Sequence, residues 1–178
     1  MPQIVEEVYF VGTKERIGRL GLTPVVGEIR LALTGFQLSV REKKDSKGSA
    51  AVRKLIDEQF DRLGGWTKKV SGDMDWIKCK VVSGTSVCIG VEVQISAGSD
   101  LLFMDMIHLD AAFREGRIDV GVVIVPSDKL SKYLTDRAPC MSDAKKHAKA
   151  ARLEDSSIVL FAIEHDGAGP PLAKQAKK

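Results

Sequence analysis

The sequence lacks several features that mark common protein classes. Its three cysteines, Cys79, Cys88 and Cys140, have no Cys-x-x-Cys spacing, which favours reduced thiols in a cytoplasmic protein. No apolar run approaches the ~20 residues that a membrane-spanning helix needs, so we expect no membrane partner. With 44% hydrophobic and 29% charged residues, the chain is neither disordered nor fibrous.

Common catalytic signatures are also missing. There is no GxxxxGK[ST] and no GxGxxG after a strand, so we expect no nucleotide cofactor. There is no GxSxG nucleophile motif. His108, His147 and His165 lie far apart and lack metal-ligand spacing with one another or with cysteine. These absences argue against nucleotide-dependent enzymes, α/β hydrolases and histidine-based zinc centres.

The charge is only mildly basic. Lysine and arginine number 27 against 24 acidic residues, a formal net charge of +3. Basic residues gather over residues 41–47, 68–69, 145–149 and 174–178. Solvated loops and helix faces often carry such clusters, so the charge permits a nucleic-acid partner without requiring one.

The length and the order of predicted elements indicate an α/β fold. At 178 residues we expect one domain over residues 1–167 and a flexible basic tail over 168–178. Alternating and buried apolar patterns predict strands over 4–11, 36–41, 74–82, 86–95, 118–125 and 158–163. Amphipathic spacing predicts helices over 23–35, 52–63, 99–115, 127–133 and 142–152. This order describes a mixed central sheet flanked by helices on both sides.

The hairpin over residues 74–95 carries the most informative polar side chains. Glu92 and Gln94 project from one face of an otherwise apolar strand. A turn centred on residues 84 and 85 places Asp75 opposite Gln94, and so makes Asp75 and Glu92 diagonal neighbours ~7–8 Å apart. Such carboxylates can hold one divalent cation between them, with Asp73 as a second-choice acid. The alternative is a polar sheet edge facing water, but a charge in so apolar a strand is costly unless it is used.

An aspartate on one strand, followed by Glu-x-Gln on the next, resembles the PD-(D/E)xK nuclease superfamily. The glutamine narrows the similarity to restriction endonucleases of the BglII/BstYI-like group. Further stretches resemble that group in order along the chain, namely GW at 65–66, DWIK at 75–78, VEVQIS at 91–96, SDLLFMDMIHL at 99–109, IDVGVVIVP at 118–126 and AIEHDG at 162–167. The resemblance implies the restriction-endonuclease-like core of this superfamily, within the α/β class.

The resemblance also implies a function. It implies a type II restriction endonuclease that uses Mg²⁺ to hydrolyse phosphodiester bonds in double-stranded DNA at a short palindromic site, with GATC as a suggested core. Asp75 and Glu92 would bind Mg²⁺, and Gln94 would take the place of the superfamily lysine. Glu28 would be an additional acid, or else a solvated helix residue. The alternatives are a nuclease with a repair or junction-resolving role and a catalytically silent DNA-binding relative.

DNA recognition is expected from loops and helix ends near this face. Ser96 and Ser99 are expected close to the active face, and the similarity places groove-reading segments at Arg137, Ser142, Asp143 and Lys145. Arg137 would pair with guanine and Asp143 would accept a hydrogen bond from cytosine. The alternative for each is a helix cap or a phosphate contact.

The helix over residues 99–115 predicts a homodimer. Its apolar residues surround most of its circumference, whereas a helix on a sheet needs only one apolar stripe. A second exposed apolar side marks an interface. A two-fold dimer would also supply the two active sites that a palindrome requires. The alternative is that another helix of the same chain, over residues 127–133, covers this side.

Overall fold

A six-stranded mixed sheet forms the centre of the molecule. The computed structural model describes residues 1–38, 49–68, 74–96, 98–134, 138–165 and 167. The strands are β1 (Gln3–Tyr9), β2 (Thr67–Lys68), β3 (Trp76–Val82), β4 (Thr85–Val93), β5 (Val120–Pro126) and β6 (Ile158–Glu164), in the spatial order β1-β6-β5-β4-β3-β2. The central pairs β4–β5 and β5–β6 are parallel, and the other pairs are antiparallel. The predicted mixed sheet is confirmed.

Helices cover both faces of this sheet. They are α1 (Thr13–Arg19), α2 (Thr23–Thr34), α3 (Ser49–Leu63), α4 (Ser99–Arg114) and α5 (Met141–Ala150). One core cluster joins α2 and α3 to one face of the sheet, with Ile29 and Phe60 among its buried residues. A second cluster joins α4 and α5 to the opposite face, with Met106 and Ala144 among its members. Because both faces are covered, every residue of β5 is buried, which explains its unbroken apolar run.

Some elements differ from the predictions. The helix α1 was not predicted, since only Thr13 and Ile17 of its seven residues are buried and its apolar pattern is therefore weak. The predicted helix over 127–133 is only a short 3₁₀ helix, Leu130–Tyr133. The two-residue β2 was too short to detect. Residues 36–38 are not in a strand, and residues 39–41 and the tail over 168–178 lie outside the described residues.

The hairpin of β3 and β4 has a different register from the predicted one. Its turn is Ser83 and Gly84, both at positive φ, 51° and 82°. Two-residue turns of this kind match the twist of the flanking strands. Val82 therefore pairs with Thr85, and Trp76 with Val91. The placement of Asp75 opposite Gln94 was wrong: Asp75 precedes Trp76 and lies beside Glu92.

The same register corrects the cysteine assignment. Cys79 lies directly opposite Cys88, with 4.1 Å between their Cα atoms, and the two form a disulfide. The prediction of reduced thiols, made from the number and spacing of the cysteines, was wrong for this pair, because cysteines that are separated in sequence meet across the hairpin. Cys140 is a free thiol. None of the helices within the described ranges is long and apolar enough to cross a membrane.

Candidate active site

Glu92 and Gln94 lie at the carboxyl end of β4, on the face that α4 covers. Their neighbours Val91 and Val93 point to the opposite face, into the core formed with α2 and α3. Glu92 is 5% exposed and Gln94 is 6% exposed. Two polar side chains are thus buried side by side along one strand, where each needs a partner or a ligand.

Asp75 reaches this site from the residue before β3, and both of its carboxylate oxygens are held. The backbone N–H of Val93 donates to Oδ2 at 2.7 Å. Arg53 of α3 places Nη2 2.6 Å from Oδ1. The same guanidinium donates from Nη1 to the carbonyl of Val93 at 2.8 Å. Arg53 therefore fastens Asp75 to the end of the strand that carries Glu92.

Arg53 is itself held by Asp57, one helical turn further along α3. Arg53 Nε donates to Asp57 Oδ1 at 3.0 Å, and Trp76 and Lys68 also donate to this carboxylate. Burial alone would raise the pKa of Asp57, but these donors lower it instead. Burial likewise opposes the charge of Arg53, yet Asp75 and Asp57 raise its pKa. The guanidinium is thus a fixed positive charge.

Glu92 is held in its protonated form when no cation is bound. Burial, followed by the charge of Asp75 and a hydrogen bond with it, raises the pKa of Glu92 to about 10. The negative charge of Asp105 adds to this shift, and Arg53 opposes it. Asp75 and Glu92 are therefore in hydrogen-bond contact, and a cation bound between them would relieve the penalty on ionising Glu92.

Asp105 of α4 is a further acid at this site, and the sequence reasoning missed it. Gln94 donates a hydrogen bond from Nε2 to Asp105 Oδ2. Burial and the charge of Asp75 raise the pKa of Asp105. A signal was present in the sequence, because Asp105 falls three residues after Leu102 and four before Leu109, both buried. A charged residue on the buried face of a helix is costly, so its presence there suggests a functional role.

Gly90 lets Met74 pack closely against β4 next to this group of acids. It lies two residues before Glu92 and so faces the same side of β4. A Cβ atom at this position would overlap Met74 Sδ and lie 3.2 Å from the side chain of Ile118. Since Met74 directly precedes Asp75, the missing side chain lets the segment that carries Asp75 pack against β4.

A protein-family model described as Restriction endonuclease BglII/BglIII matches residues 23–162. The chain belongs to this restriction endonuclease family. The match covers the hairpin, α3 and α4, and so includes Arg53, Asp75, Glu92, Gln94 and Asp105. No curated protein matches the sequence significantly.

The donor set of this BglII-family site suits a hard divalent cation. Asp75, Glu92 and Gln94 offer oxygen atoms, and Gln94 Oε1 is buried without a hydrogen-bond partner among the described residues. Mg²⁺ commonly takes one or two carboxylates and completes its shell with water and substrate phosphate. In the part of the chain that the structure describes, no cluster of three or more His, Cys, Asp or Glu residues could hold a metal by itself. The residues therefore fit Mg²⁺ bound together with a phosphate.

Glu28 is not brought to this site. It accepts hydrogen bonds from Trp66 Nε1 at 2.9 Å and from Lys78 Nζ at 2.7 Å. Trp66 belongs to the core cluster of α2 and α3, on the sheet face opposite to Glu92. The BglII-family site described above is thus separated from Glu28 by the sheet. Asp73 lies outside the described residues.

Three of the predicted DNA-contacting residues lie just after β4, at the start of α4 and in the middle of α5. Ser96 is exposed just after β4. Ser99 begins α4, and its hydroxyl lies 2.7 Å from His147 Nε2. Lys145 forms an ion pair with Glu6. Ser96 and Lys145 are exposed, and Ser99 is half-buried.

Ser142 and Asp143, two of the remaining predicted DNA contacts, lie at the start of α5. The backbone N–H of Ser142 donates to Asp128 Oδ1 at 3.0 Å. Asp143 accepts a hydrogen bond from the backbone N–H of Cys140 at 3.1 Å, as the third residue of a capping box. Both residues therefore stabilise the start of a helix. Arg137 lies outside the described residues.

Proposed function

We propose that this BglII-family protein is a type II restriction endonuclease that hydrolyses phosphodiester bonds in double-stranded DNA with Mg²⁺. The observation that carries the proposal is the contact between Asp75 and Glu92 beside the buried Gln94, within the region matched by the family model. A short palindromic site, with GATC as its core, is the substrate that we propose from the resemblance. The alternatives are a repair or junction-resolving nuclease and a catalytically silent relative.

Asp75 and Glu92 would hold Mg²⁺ between them. The bound ion would supply positive charge beside the scissile phosphate and make nearby water more acidic. Glu92 would release its proton when the cation binds, because two ionised carboxylates then share one positive partner. Arg53 keeps Asp75 in place throughout, since it bonds both Asp75 and the carbonyl of Val93.

Gln94 would orient the attacking water. Its neutral amide brings no charge to the reaction, so electrostatic stabilisation would depend more on the cation than in relatives with lysine. The amide oxygen is buried and lacks a partner among the described residues, which supports a role in binding a small polar ligand such as water.

Residues along the same edge would contact DNA. We propose that Ser96, Ser99 and Lys145 bind phosphates or base edges, together with Arg137, Ser142 and Asp143. Lys145 would exchange its ion pair with Glu6 for a phosphate, and an exposed pair of this kind is weak enough to exchange. Phosphate contacts would set the orientation of the duplex, and base contacts would select the sequence.

A homodimer would present two such sites to a palindrome. On α4, Leu101 is 55% exposed and Met104 is 45% exposed, and they lie three residues apart on one face. Leu102 and Met106 are fully buried against the sheet, so the exposed pair forms a second apolar side. We propose that two copies of this chain meet through this side by a two-fold axis. The cytoplasm, within a restriction–modification system, is the proposed setting.

Incubation of the protein with plasmid DNA and Mg²⁺ tests this function. Discrete fragments that depend on Mg²⁺ are expected, and sequencing their ends would identify the site. Glu92→Gln should remove cleavage, whereas the matched surface variant Glu154→Gln should cut like the wild type. Nicking confined to branched DNA would favour the repair alternative. A gel shift without cleavage at any metal concentration would favour the silent relative.

A further inference from the structure

The orientation of the Gln94 side-chain amide is set by its partner on α4. An amide has a donating NH₂ end and an accepting oxygen end, whereas an ionised carboxylate can only accept. Gln94 donates from Nε2 to Asp105 Oδ2, so the Nε2 end faces α4. The oxygen end, Oε1, is therefore directed away from Asp105.

The amide oxygen is left as a buried acceptor. Gln94 is 6% exposed, and Oε1 has no hydrogen-bond partner among the described residues. Buried acceptors of this kind are usually satisfied by a water molecule or a ligand. Gln94 and Glu92 project from the same face of β4, two residues apart, so such a water molecule would lie next to the carboxylate pair.

We propose that Asp105 is a positioning residue that holds the Gln94 amide with Oε1 toward the space beside Glu92, where it accepts a hydrogen bond from the attacking water. This inference rests on the proposed nuclease function. In hydrolysis the water oxygen bonds to phosphorus and gives up one proton to solvent, while the bond from phosphorus to the leaving sugar oxygen breaks and that oxygen gains a proton from solvent. An accepting group leaves a lone pair of the water free for this attack, whereas a flipped amide would donate to that lone pair.

The pairing also gives glutamine a specific reason to be at this position. A lysine at position 94 would be attracted to Asp105 and would form an ion pair with it. Its ammonium group would then be directed away from the phosphate. Gln94→Lys is therefore expected to leave cleavage no faster than in the wild type.

Nuclear magnetic resonance tests the orientation without metal or DNA. The side-chain NH₂ signals of Gln94, assigned by their loss in Gln94→Glu, should be protected from solvent exchange. Asp105→Asn should keep this protection, because its amide oxygen can accept the same hydrogen bond. Asp105→Ala should lose it, and the control Asp100→Asn, on the exposed first turn of α4, should not. Unprotected signals in the wild type, or protection that survives Asp105→Ala, would overturn the inference.

Cleavage rates and metal binding test the consequence. At saturating DNA, Asp105→Ala should slow cleavage by about 100-fold, the scale of a lost proton-transfer or water-orienting contact, and Asp105→Asn should slow it much less. Gln94→Glu should be impaired by repulsion from Asp105, and adding Asp105→Asn should restore at least ~10-fold, because the two positions are coupled. Mn²⁺ affinity, followed by electron paramagnetic resonance, should fall in Glu92→Gln but not in Asp105→Asn.

Two outcomes would contradict the positioning role. Equal losses in Asp105→Ala and Asp105→Asn, with weaker Mn²⁺ binding in both, would make Asp105 a metal ligand. Independent effects of the Gln94 and Asp105 changes would show that the pair does not act together. A wild-type protein that keeps the amide protection but cuts no DNA would instead refute the nuclease function and leave the Asp105–Gln94 geometry intact.

Discussion

Replacing Glu92 by glutamine should stabilise the metal-free protein at neutral pH, although it should remove activity. The pKa of Glu92 is raised from 4.5 to about 10 in the folded protein. Between these values the unfolded chain ionises Glu92 and the folded protein keeps it protonated, so the unfolded state binds fewer protons. The free energy of unfolding therefore falls as pH rises through this range. Glutamine has no such proton to retain.

The size of the effect follows from the pKa shift. At about pH 7.5, some three pH units above the ordinary pKa, a value of 1.36 kcal/mol per unit sets a ceiling of about 4 kcal/mol. Movement of the site and entry of water reduce the penalty on a buried charge. We therefore expect Glu92→Gln to gain ~1–3 kcal/mol at this pH, and close to nothing at about pH 5, where little of the penalty has developed.

Urea unfolding in a chelating buffer measures this difference. Tryptophan fluorescence is a suitable signal, because Trp66 and Trp76 both pack against Phe60 in the core. Wild type, Glu92→Gln and the surface control Glu154→Gln should be compared at about pH 5 and about pH 8. The gain should appear only for Glu92→Gln and should grow with pH. A gain that is the same at both pH values, or a loss at pH 8, would refute the reasoning.

Three further predictions concern cleavage and assembly. Glu92→Ala should abolish cleavage while DNA binding by gel shift stays the same or tightens, since one acidic group fewer then faces the phosphate; a near wild-type rate would remove Glu92 from the site. In a plasmid assay, Asp75→Asn should cut at least ~100-fold more slowly than the wild type, whereas Asp73→Asn should not. The reverse result would make Asp73 the metal ligand. Light scattering should give a mass near twice 19.4 kDa. The substitutions Leu101→Glu and Met104→Glu should shift this mass toward that of the monomer. A wild-type monomer, free and on DNA, would contradict the dimer.

The architecture could be predicted from the sequence because the apolar pattern of each main element agrees with the faces that are buried in the fold. The uninterrupted run that forms β5 predicted a buried strand, and the stripe through Val52, Ile56 and Phe60 predicted α3. Sequence periodicity reports how much of an element is buried, and these elements are buried strongly. The exposed and partly buried α1 gave no such signal.

The details of the site could not be predicted from the sequence, because they depend on contacts between residues that are far apart along the chain. The hairpin register was set by Ser83 at positive φ, a conformation that non-glycine residues seldom adopt. Arg53 and Asp105 reach Asp75 and Gln94 from different helices, so their contacts exist only in the folded chain. Glu28, by contrast, was suggested by resemblance and lies on the other side of the sheet. The disulfide joins two cysteines that face each other only across the folded hairpin, so their spacing in the sequence did not reveal it.

Gly90 shows how much of this site depends on an atom that is not there. A methyl group at this position would overlap Met74 and crowd Ile118. Met74 would have to retreat, and the backbone that follows it carries Asp75. The distance between Asp75 and Glu92 therefore depends on the absence of a side chain at position 90. Even an alanine at position 90 would push Met74, and with it the segment that carries Asp75, away from β4 and Glu92. It would do so without removing any group that takes part in the chemistry.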